Sequence, residues 1–266
     1  MIRVYVETYN KYKYLLYNLV SRDFKVKYRR SVLGVAWSML SPIIMMLILS
    51  AVFSRVFRFE VQNYPYPIYI VMGQTMYGFF NEATTSANYS IVESAQLIKK
   101  IYIPKYLFPI EKVLFAFINM LFSMIAILIM LIIFGCPFSW MMLLFPIPLL
   151  ELLLFTLGFG LIVSALCVFF RDLKHLYTII TMAWFYITPI IYPIETVEES
   201  WIRYVVYINP LTWYIEYFRT LILYNPADGT VPGLQINIIC LAWAIGTFAF
   251  GMLLFRKTQD RFILHI

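Results

Sequence analysis

Six stretches of roughly 20 mostly apolar residues occur along this chain of 266 residues, and each is long enough to cross a lipid bilayer. A helix rises about 1.5 Å per residue, so about 20 residues cover a hydrocarbon core about 30 Å thick. Only 13% of the residues are charged, against about 25% in an ordinary soluble domain. The sequence therefore predicts an all-α membrane protein with six transmembrane helices, near residues 35–54, 68–90, 111–134, 141–169, 176–192 and 233–255.

The 21 Lys and Arg residues are distributed unevenly between these stretches. Residues 1–34, 91–110, 170–175 and 256–266 hold eight, three, two and three of them, and Lys112 is the seventeenth on this side. The other side holds Arg55, Arg58, Arg203 and Arg219. Because short cytoplasmic loops retain Lys and Arg, both termini are expected in the cytoplasm, with an even number of spans.

Residues 1–34 precede the first span and are interpreted as a cytoplasmic interfacial segment. Tyr5, Tyr9, Tyr12, Leu16 and Leu19 recur at helical spacing, which predicts an amphipathic helix lying in the membrane interface. A run of basic residues follows. The segment is either a lipid headgroup anchor or a surface that also holds a cytoplasmic partner, and one helix can do both. No cleavable signal peptide is apparent.

The loop at residues 94–104 contains a short amphipathic helix, ended by Pro104. It is too short to cross a membrane, so it is either a connector or a helix that inserts into a groove of another protein. No nucleotide-binding motif is present, because Phe79 and Phe80 follow Gly78 where a phosphate loop needs Lys and Ser or Thr. The chain is thus expected to hold no cofactor, and any use of ATP is assigned to a separate subunit.

Ionisable groups within the predicted spans are few, chiefly Glu82 and Glu151. A charge at the centre of a span costs about 2.5 to 3.5 kcal/mol, so each is expected to line a polar route or to be protonated and hydrogen-bonded. Cys136, Cys167 and Cys240 are far apart and are interpreted as packing residues. We therefore predict no catalytic pair and no metal site. Nucleic acid is not expected as a partner, because the basic residues flank membrane segments and meet anionic lipid.

Aromatic residues make up 19% of the chain, and many lie deep within the predicted spans. Flat rings offer a weakly adhesive wall to a sliding sugar chain, because contacts with a ring face need no fixed hydrogen-bond register. The alternative is ordinary packing within the bundle. The candidate channel-lining residues are Trp37, Tyr77, Phe80, Tyr89, Trp184 and Tyr186.

Residues 193–232 form neither a simple loop nor a full crossing. Residues 201–207 are amphipathic, and the apolar stretch 211–224 is interrupted by Glu216 and Arg219. Fourteen residues are too few to span a bilayer, so we predict two short re-entrant helices on the extracellular side. A crossing at 211–224 would place the basic C-terminal tail, residues 256–266, on the wrong side of the membrane.

Three groups of residues form an ordered pattern over nearly the whole chain. They are residues 29–34 (RRSVLG) with Trp37, Leu40 and Pro42; residues 169–173 (FFRDL) before 188–192 (TPIIY); and residues 209–212 (NPLT) with Phe218 and Arg219. This pattern resembles the membrane subunit of type-2 ABC exporters of lipid-linked polysaccharides, a family that includes O-antigen, capsule and teichoic-acid permeases. The pattern identifies neither the sugar nor the lipid carrier.

The resemblance implies one transmembrane domain over residues 1–266, in a bacterial cytoplasmic membrane. Two copies would form a homodimer around a channel for the glycan substrate, and two separate cytoplasmic ATPase subunits would bind Mg-ATP. The chain itself would be non-catalytic. The coupling helix would comprise Leu97, Ile98, Lys99, Lys100, Ile101 and Tyr102.

The resemblance also implies a gate at each end of the channel. Arg171 and Asp172 would lie near the cytoplasmic gate. The lipid diphosphate could be attracted there by Arg29 and Arg30 or by Lys99 and Lys100, although cytoplasmic retention alone also explains these basic residues. The extracellular gate residues would be Trp201, Tyr207, Trp213 and Tyr217.

Three alternative functions remain open from the sequence, two of them from other classes of protein. A type-2 permease for a drug or small lipid is the nearest alternative. A multi-pass membrane transferase would need convergent catalytic groups or metal ligands at one surface. A secondary transporter would usually show an internal repeat and midplane ionisable groups, and only Glu82 and Glu151 are candidates.

Overall fold

The computed structural model describes residues 2–29, 31–56, 65–101, 103–136, 138–194, 197, 201–223 and 234–265. Regular structure in these ranges is entirely helical. The α-helices are α1 Ile2–Tyr28, α2 Ala36–Val56, α3 Tyr66–Glu93, α4 Ala95–Lys100, α5 Leu107–Ile133, α6 Pro146–Phe169, α7 Leu173–Ile187, α8 Trp201–Ile208, α9 Pro210–Ile222, α10 Leu234–Thr258 and α11 Phe262–His265. The 3₁₀ segments are Trp140–Leu144 and Gln259–Arg261.

Each predicted span coincides with a helix, namely α2, α3, α5, α6, α7 and α10. In the described ranges, three helical segments are long and apolar enough to cross a membrane: Leu107–Ile133, Trp140–Phe169 and Leu234–Arg261. A shorter apolar helix covers Ala36–Met45. The all-helical class is therefore confirmed, and the count of six crossings stays a prediction.

One predicted span boundary was wrong. The fifth span was expected to reach residue 192, but α7 ends at Ile187 and Thr188 is extended, with φ −79° and ψ 134°. The residue before a proline disfavours helical angles, and Pro189 follows. The fourth span, predicted near 141–169, matches the apolar helical segment Trp140–Phe169. It consists of the 3₁₀ segment Trp140–Leu144 followed by α6, which begins at Pro146. Proline is favoured in the first turn of a helix.

The long helices alternate in direction, so the molecule has two distinct ends. The α4 end contains α4 and α11. It also contains the last residues of α3, α6 and α10 and the first residues of α5. The opposite end, which we call the α8–α9 end, contains α8, α9 and the 3₁₀ segment Trp140–Leu144. This layout places residues 169–173 at the α4 end, and residues 188–192 and 209–212 at the α8–α9 end.

The centre of the bundle consists of α3, α5, α6 and α10, and the most extensive contacts join α6 to α10. Gly158 on α6 has no room for a side chain, since a Cβ there would lie 2.5 Å from Cα of Phe248. A Cβ on Gly251 would overlap the carbonyl oxygen of Gly158. Small residues allow membrane helices to approach this closely. The backbones of α6 and α10 are therefore in direct contact.

Candidate functional site

Helix α4 buries one apolar side chain and exposes its basic ones. Ile98 is 9% exposed, whereas Lys99 and Lys100 are exposed and Leu97 is half-buried. Ile101, just beyond the helix, is 54% exposed. Tyr102, the last residue of the predicted coupling helix, lies outside the described residues. The α4 surface thus offers two lysines and one apolar side chain to the surroundings.

The buried side of α4 belongs to an apolar cluster that also contains the C-terminal tail. Ile98 packs in this cluster with Phe108 of α5, Phe255 of α10 and Phe262 of α11. Phe262 is fully buried, and its ring centroid lies 5.2 Å from that of Phe255. The tail therefore lies against the same apolar core that holds α4.

Lys105 adds a polar contact between the loop before α5 and the C-terminal tail. Lys105 Nζ donates a hydrogen bond of 2.5 Å to the carbonyl oxygen of Gln259, and it lies 5.8 Å from the ring centroid of Phe262. Burial lowers the pKa of Lys105, although the Asp260 carboxylate opposes this shift. The short loop before α5 is thereby joined to residues that follow α10.

Two of the predicted cytoplasmic gate and headgroup residues lie at the α4 end. Arg171 and Asp172 are exposed in the turn between α6 and α7, beside a cavity of about 520 Å³. Arg29 is exposed at the end of α1, and Arg30 lies outside the described residues. Lys174 at the start of α7 lies 3.9 Å from the ring centroid of Tyr89 on α3. Their gate and headgroup roles stay predictions.

Three of the predicted channel-lining aromatics pack inside the chain. Phe80 of α3 is fully buried, with its ring centroid 5.3 Å from that of Trp184 and 5.8 Å from that of Phe155. Tyr77 is 4% exposed and donates a hydrogen bond to the carbonyl oxygen of Thr181 on α7. These rings fill the space between α3, α6 and α7.

The other predicted lining aromatics are more accessible. Trp37 of α2 is 47% exposed and Tyr186 of α7 is 67% exposed, while Tyr89 is half-buried beneath Lys174. Within one copy of the chain, the rings of Trp37 and Tyr186 are therefore accessible to a molecule at the surface. Phe80 and Tyr77 would become accessible only after the helices around them separate.

A cavity of about 450 Å³, which we call the α2–α3–α5 groove, lies between α2, α3, α5 and the end of α1, and both polar and apolar residues line it. Helix α3 contributes Glu82, Gln74 and Thr75 to its lining, and α2 contributes Trp37 and Ser41. The sequence predicts that Glu82 either lines a polar route or is protonated and hydrogen-bonded within the bundle. The structure places it at the groove, half-buried.

Five polar side chains form a network at one wall of this groove. Lys27 Nζ of α1 lies 2.6 Å from Glu82 Oε1, and Asn119 Nδ2 of α5 lies 3.2 Å from both carboxylate oxygens. The Oδ1 atom of Asn119 accepts hydrogen bonds from Tyr28 at 2.7 Å and from Ser38 at 2.8 Å. One asparagine thus connects α1, α2, α3 and α5.

A second ion pair holds α1 against α5. Asp23 pairs with Lys112, and Phe24 contacts Phe115 with ring centroids 4.7 Å apart. Burial raises the pKa of Asp23, but hydrogen bonds and the charge of Lys112 outweigh it, so the pKa lies below its usual value of 3.8. The amphipathic α1 helix is therefore held to the bundle by charged and aromatic contacts. Its location in the membrane interface stays a prediction.

At the other end, Asn209 joins α8 and α9 to the segment after α7. Its Oδ1 atom accepts hydrogen bonds from Trp184 Nε1 at 2.9 Å and from the backbone nitrogen of Leu211 at 3.1 Å. Its Nδ2 atom donates to Thr188 Oγ1 at 2.8 Å. The second contact is a helix N-cap, for which asparagine is well suited. Two motifs about twenty residues apart in sequence thus meet here.

Arg219 of α9 is 2% exposed and makes the densest set of polar contacts at this end. Its Nη1 atom donates to the carbonyl oxygen of Pro189 and to Glu216, and its Nη2 atom donates to the carbonyl oxygens of Tyr69 and Ile190. The guanidinium carbon also lies 3.4 Å from the ring centroid of Tyr69. Buried charges require such partners, so Arg219 holds α9, α3 and the segment after α7 together.

The four predicted extracellular gate residues differ in exposure. Trp201 is 74% exposed, and Tyr207 packs edge-on against Trp213 with ring centroids 5.6 Å apart. Tyr217 is 5% exposed and accepts a hydrogen bond of 3.0 Å from Asn237. Their gate roles, and the re-entrant position of α8 and α9 in a membrane, stay predictions.

Several residues of these networks were not chosen as site residues from the sequence. Asn119, Tyr28 and Ser38 were missed, although a polar asparagine within an apolar span is a detectable signal for Asn119. Glu151 of α6 receives a hydrogen bond of 3.2 Å from Asn237. Cys136, Cys167 and Cys240 are free and buried. Within the described ranges, no group of three His, Cys, Asp or Glu side chains could hold a metal ion.

Comparisons with known proteins place these features in a family. Residues 14–223 match the family model described as ABC-2 type transporter. An O-antigen export system permease protein RfbA from Klebsiella pneumoniae is 30% identical over 252 residues, which is 93% of either chain. The protein of the same description from Myxococcus xanthus is 29% identical over 247 residues, covering 92% of this chain and 94% of the relative.

Proposed function

Since the chain belongs to the ABC-2 type transporter family of membrane proteins, we propose that it is the permease subunit of an ATP-driven polysaccharide exporter. Its cargo is a polyprenyl diphosphate-linked polysaccharide of the O-antigen, capsule or teichoic-acid type, and it acts in a bacterial cytoplasmic membrane. The observation that carries the proposal is the similarity to O-antigen export permeases over 93% of both chains.

The ATP-dependent part of the cycle belongs to two partner ATPase subunits that bind Mg-ATP. Helix α4 is their docking element, because its exposed lysines and Ile101 face outward while Ile98 anchors it in the bundle. A displacement of α4 would reach α5, α10 and the C-terminal tail through the cluster around Phe262. The permease therefore needs no catalytic group of its own.

Two copies of the chain form a homodimer with the channel between them. Each copy crosses the membrane six times, with both termini in the cytoplasm, and α8 and α9 lie in the outer leaflet as re-entrant helices. This orientation follows the positive-inside distribution of Lys and Arg. The α4 end is then cytoplasmic, and the α8–α9 end forms the exit.

Nucleotide-driven closure of the ATPases moves α4 and separates the two bundles. The binding free energy of ATP is thereby linked to the equilibrium between closed and open channels. The lipid of the substrate stays in hydrocarbon while its glycan enters the channel. The diphosphate is attracted by the basic residues at the α4 end, where Lys99 and Arg171 are exposed.

Reconstitution tests this function. The chain is purified with the ATPase encoded next to it and placed in liposomes that contain the lipid-linked glycan, and protection of the glycan from an external glycosidase is measured. We expect ATP-dependent loss of glycan from the side that carries the ATPase, and no movement with an inactive ATPase variant. Transport of a small lipid but not of the glycan would favour the alternative permease function.

A paired substitution tests the docking role of α4. In the same assay, Lys99→Gln with Lys100→Gln should reduce both ATPase stimulation and export, since both lysines are exposed on α4. Thr85→Val, an exposed position on α3, is the control and should leave both unchanged. Unchanged export in the lysine variant would remove these residues from the mechanism.

A further inference from the structure

We propose that the α2–α3–α5 groove is a binding subsite for the uncharged part of the transported glycan, and not for its diphosphate. The inference rests on the proposed export function and assigns a particular place in the chain to one section of the substrate. It is carried by the depth of the groove in the bundle, by the chemistry of its lining and by its charge.

The groove lies within the bundle and not at its end. Helix α3 has 28 residues and is thus roughly 42 Å long, so in a hydrocarbon core about 30 Å thick it projects roughly 6 Å on each side. Glu82 is eleven residues before Glu93, the end of α3, and so lies roughly 16 Å along the helix axis from that end. The carboxylate is then roughly 10 Å inside the hydrocarbon layer, below the level of lipid headgroups.

Polar groups at this depth need a polar occupant. The lining carries the amide of Gln74 and the hydroxyls of Ser41 and Thr75, beyond the network formed around Asn119. In hydrocarbon, unsatisfied polar groups are costly, so polar residues inside a span face a water-filled or substrate-filled cavity. From Gln74 to Glu82 the lining extends eight residues, or roughly 12 Å along the helix. The groove can therefore hold an extended polar segment.

The chemistry of the lining fits a polyhydroxylated ligand. Amides and hydroxyls both donate and accept hydrogen bonds, as sugar hydroxyls do. The accessible ring of Trp37, 47% exposed, lies at the groove and offers a flat face to the apolar side of a sugar ring. A cavity of about 450 Å³ is within the usual range of ligand pockets, about 300 to 1,000 Å³.

The charge of the groove argues against the diphosphate. Among the described residues that line the groove, Lys27 is the one cation. Its ammonium lies 2.6 Å from the carboxylate of Glu82, so the pair has no net charge. A diphosphate would meet the carboxylate as well as the ammonium. Its more favourable location is the exposed basic surface at the α4 end, which includes Lys99 and Arg171. The two parts of one substrate are thus bound at different depths.

The test is a binding measurement on the full permease–ATPase complex in lipid nanodiscs, without ATP. The probe is lipid-linked glycan extracted from membranes that contain the exporter. Comparison probes are the same glycan released from its lipid, undecaprenyl diphosphate without sugar, and added phosphatidylethanolamine. Binding is followed by the change in tryptophan fluorescence that is lost in Trp37→Phe.

We expect both forms of the glycan to change the fluorescence of Trp37 and the sugar-free probes to leave it unchanged. Gln74→Leu and Ser41→Val should each weaken glycan binding about fivefold, since each removes one hydrogen-bonding group from the lining. Thr85→Val is the matched control, because Thr85 is exposed on the same helix, bonds to Asn81 and does not line the groove. It should bind as the unsubstituted chain does.

The outcomes separate the subsite from the export function. If undecaprenyl diphosphate or phosphatidylethanolamine changes the Trp37 signal as strongly as the glycan does, the groove is a headgroup site and the proposal is wrong. If the complex exports glycan but Gln74→Leu and Ser41→Val bind and export normally, the subsite is refuted while the export function stands. If the unsubstituted complex neither binds nor exports the glycan, both proposals are refuted.

Discussion

Replacement of Gly73 by alanine provides a direct test of how Arg219 holds the α8–α9 end together. A Cβ at Gly73 would lie 2.5 Å from Nη2 of Arg219 and 3.3 Å from its Cζ atom. The guanidinium would have to move, and Nη2 donates two hydrogen bonds of 3.0 Å, to the carbonyl oxygens of Tyr69 and Ile190. Gly73 is therefore required by the buried arginine.

The size of the effect follows from these two bonds. A hydrogen bond that involves a charged group contributes about 1.5 to 3 kcal/mol, so weakening both costs about 4 kcal/mol. Alanine is about 1 kcal/mol more favourable than glycine inside a helix. The expected net loss for Gly73→Ala is about 3 kcal/mol of unfolding free energy. Gly78→Ala is the control on the same helix, because its Cβ would meet no atom within 4 Å, and it should stabilise α3 by about 1 kcal/mol.

The assay is reversible unfolding in mixed detergent micelles, followed by far-ultraviolet circular dichroism, for a double-mutant cycle. Arg219→Met alone should destabilise the chain by about 3 to 5 kcal/mol, because it leaves buried partners without their donor. In the Arg219→Met background, Gly73→Ala should lose this cost and keep only the helix preference of alanine, about 1 kcal/mol of stabilisation. The coupling free energy is then about 4 kcal/mol. An equal cost of Gly73→Ala in both backgrounds, to within about 0.5 kcal/mol, would refute the reasoning.

Three further predictions concern other contacts. Phe262→Ala leaves a cavity at a fully buried position in the cluster that holds α4. The amount of glycan exported per ATP hydrolysed should therefore fall in the reconstituted complex, while the isolated permease still folds. An unchanged ratio of export to ATP hydrolysis would count against a role for the C-terminal tail. The pKa of Asp23 is lowered, so its contribution to stability is present above about pH 3.8 and is lost as the pH falls further. The free energy of unfolding, measured as a function of pH, should show this loss. The Asp23→Asn variant should not show it. Gly158→Ala should reduce thermal stability far more than Gly246→Ala, because only the first would place a Cβ against the α10 backbone; equal melting temperatures would contradict the close α6–α10 contact.

Helix positions were largely predictable because long apolar runs and charge asymmetry act locally. Each predicted span coincides with a helix, and the short helix at residues 94–104 is present as Ala95–Lys100. The end of α7 was missed because the apolar run continues through Ile190 and Ile191 although Pro189 ends the helix. Hydropathy indicates whether a segment prefers lipid or water. It does not show that a proline prevents the residue before it from adopting helical backbone angles.

The contacts within the site were harder to predict because they join residues distant in sequence. Arg219 was noted as an interruption of an apolar stretch, but its partners Tyr69 and Ile190 come from two other segments. Asn119 is 37 residues from Glu82 and 91 from Tyr28. A sequence shows that a polar group inside a membrane helix needs a partner. Which group supplies it depends on how the helices pack.

The direct backbone contact between α6 and α10 restricts which parts of the bundle can move in a transport cycle. Helices separated by a layer of side chains can slide through small rotamer changes, but Gly158 and Gly251 leave no such layer. The two helices must therefore shift as one rigid body, and α11 travels with them through Phe262 and Phe255. Other helices have to move relative to this unit when the bundle opens. Because α2 packs on α3 and α5, and α7 packs mainly on α3, cross-links from α2 and from α7 to α3 are the most informative way to follow the motion.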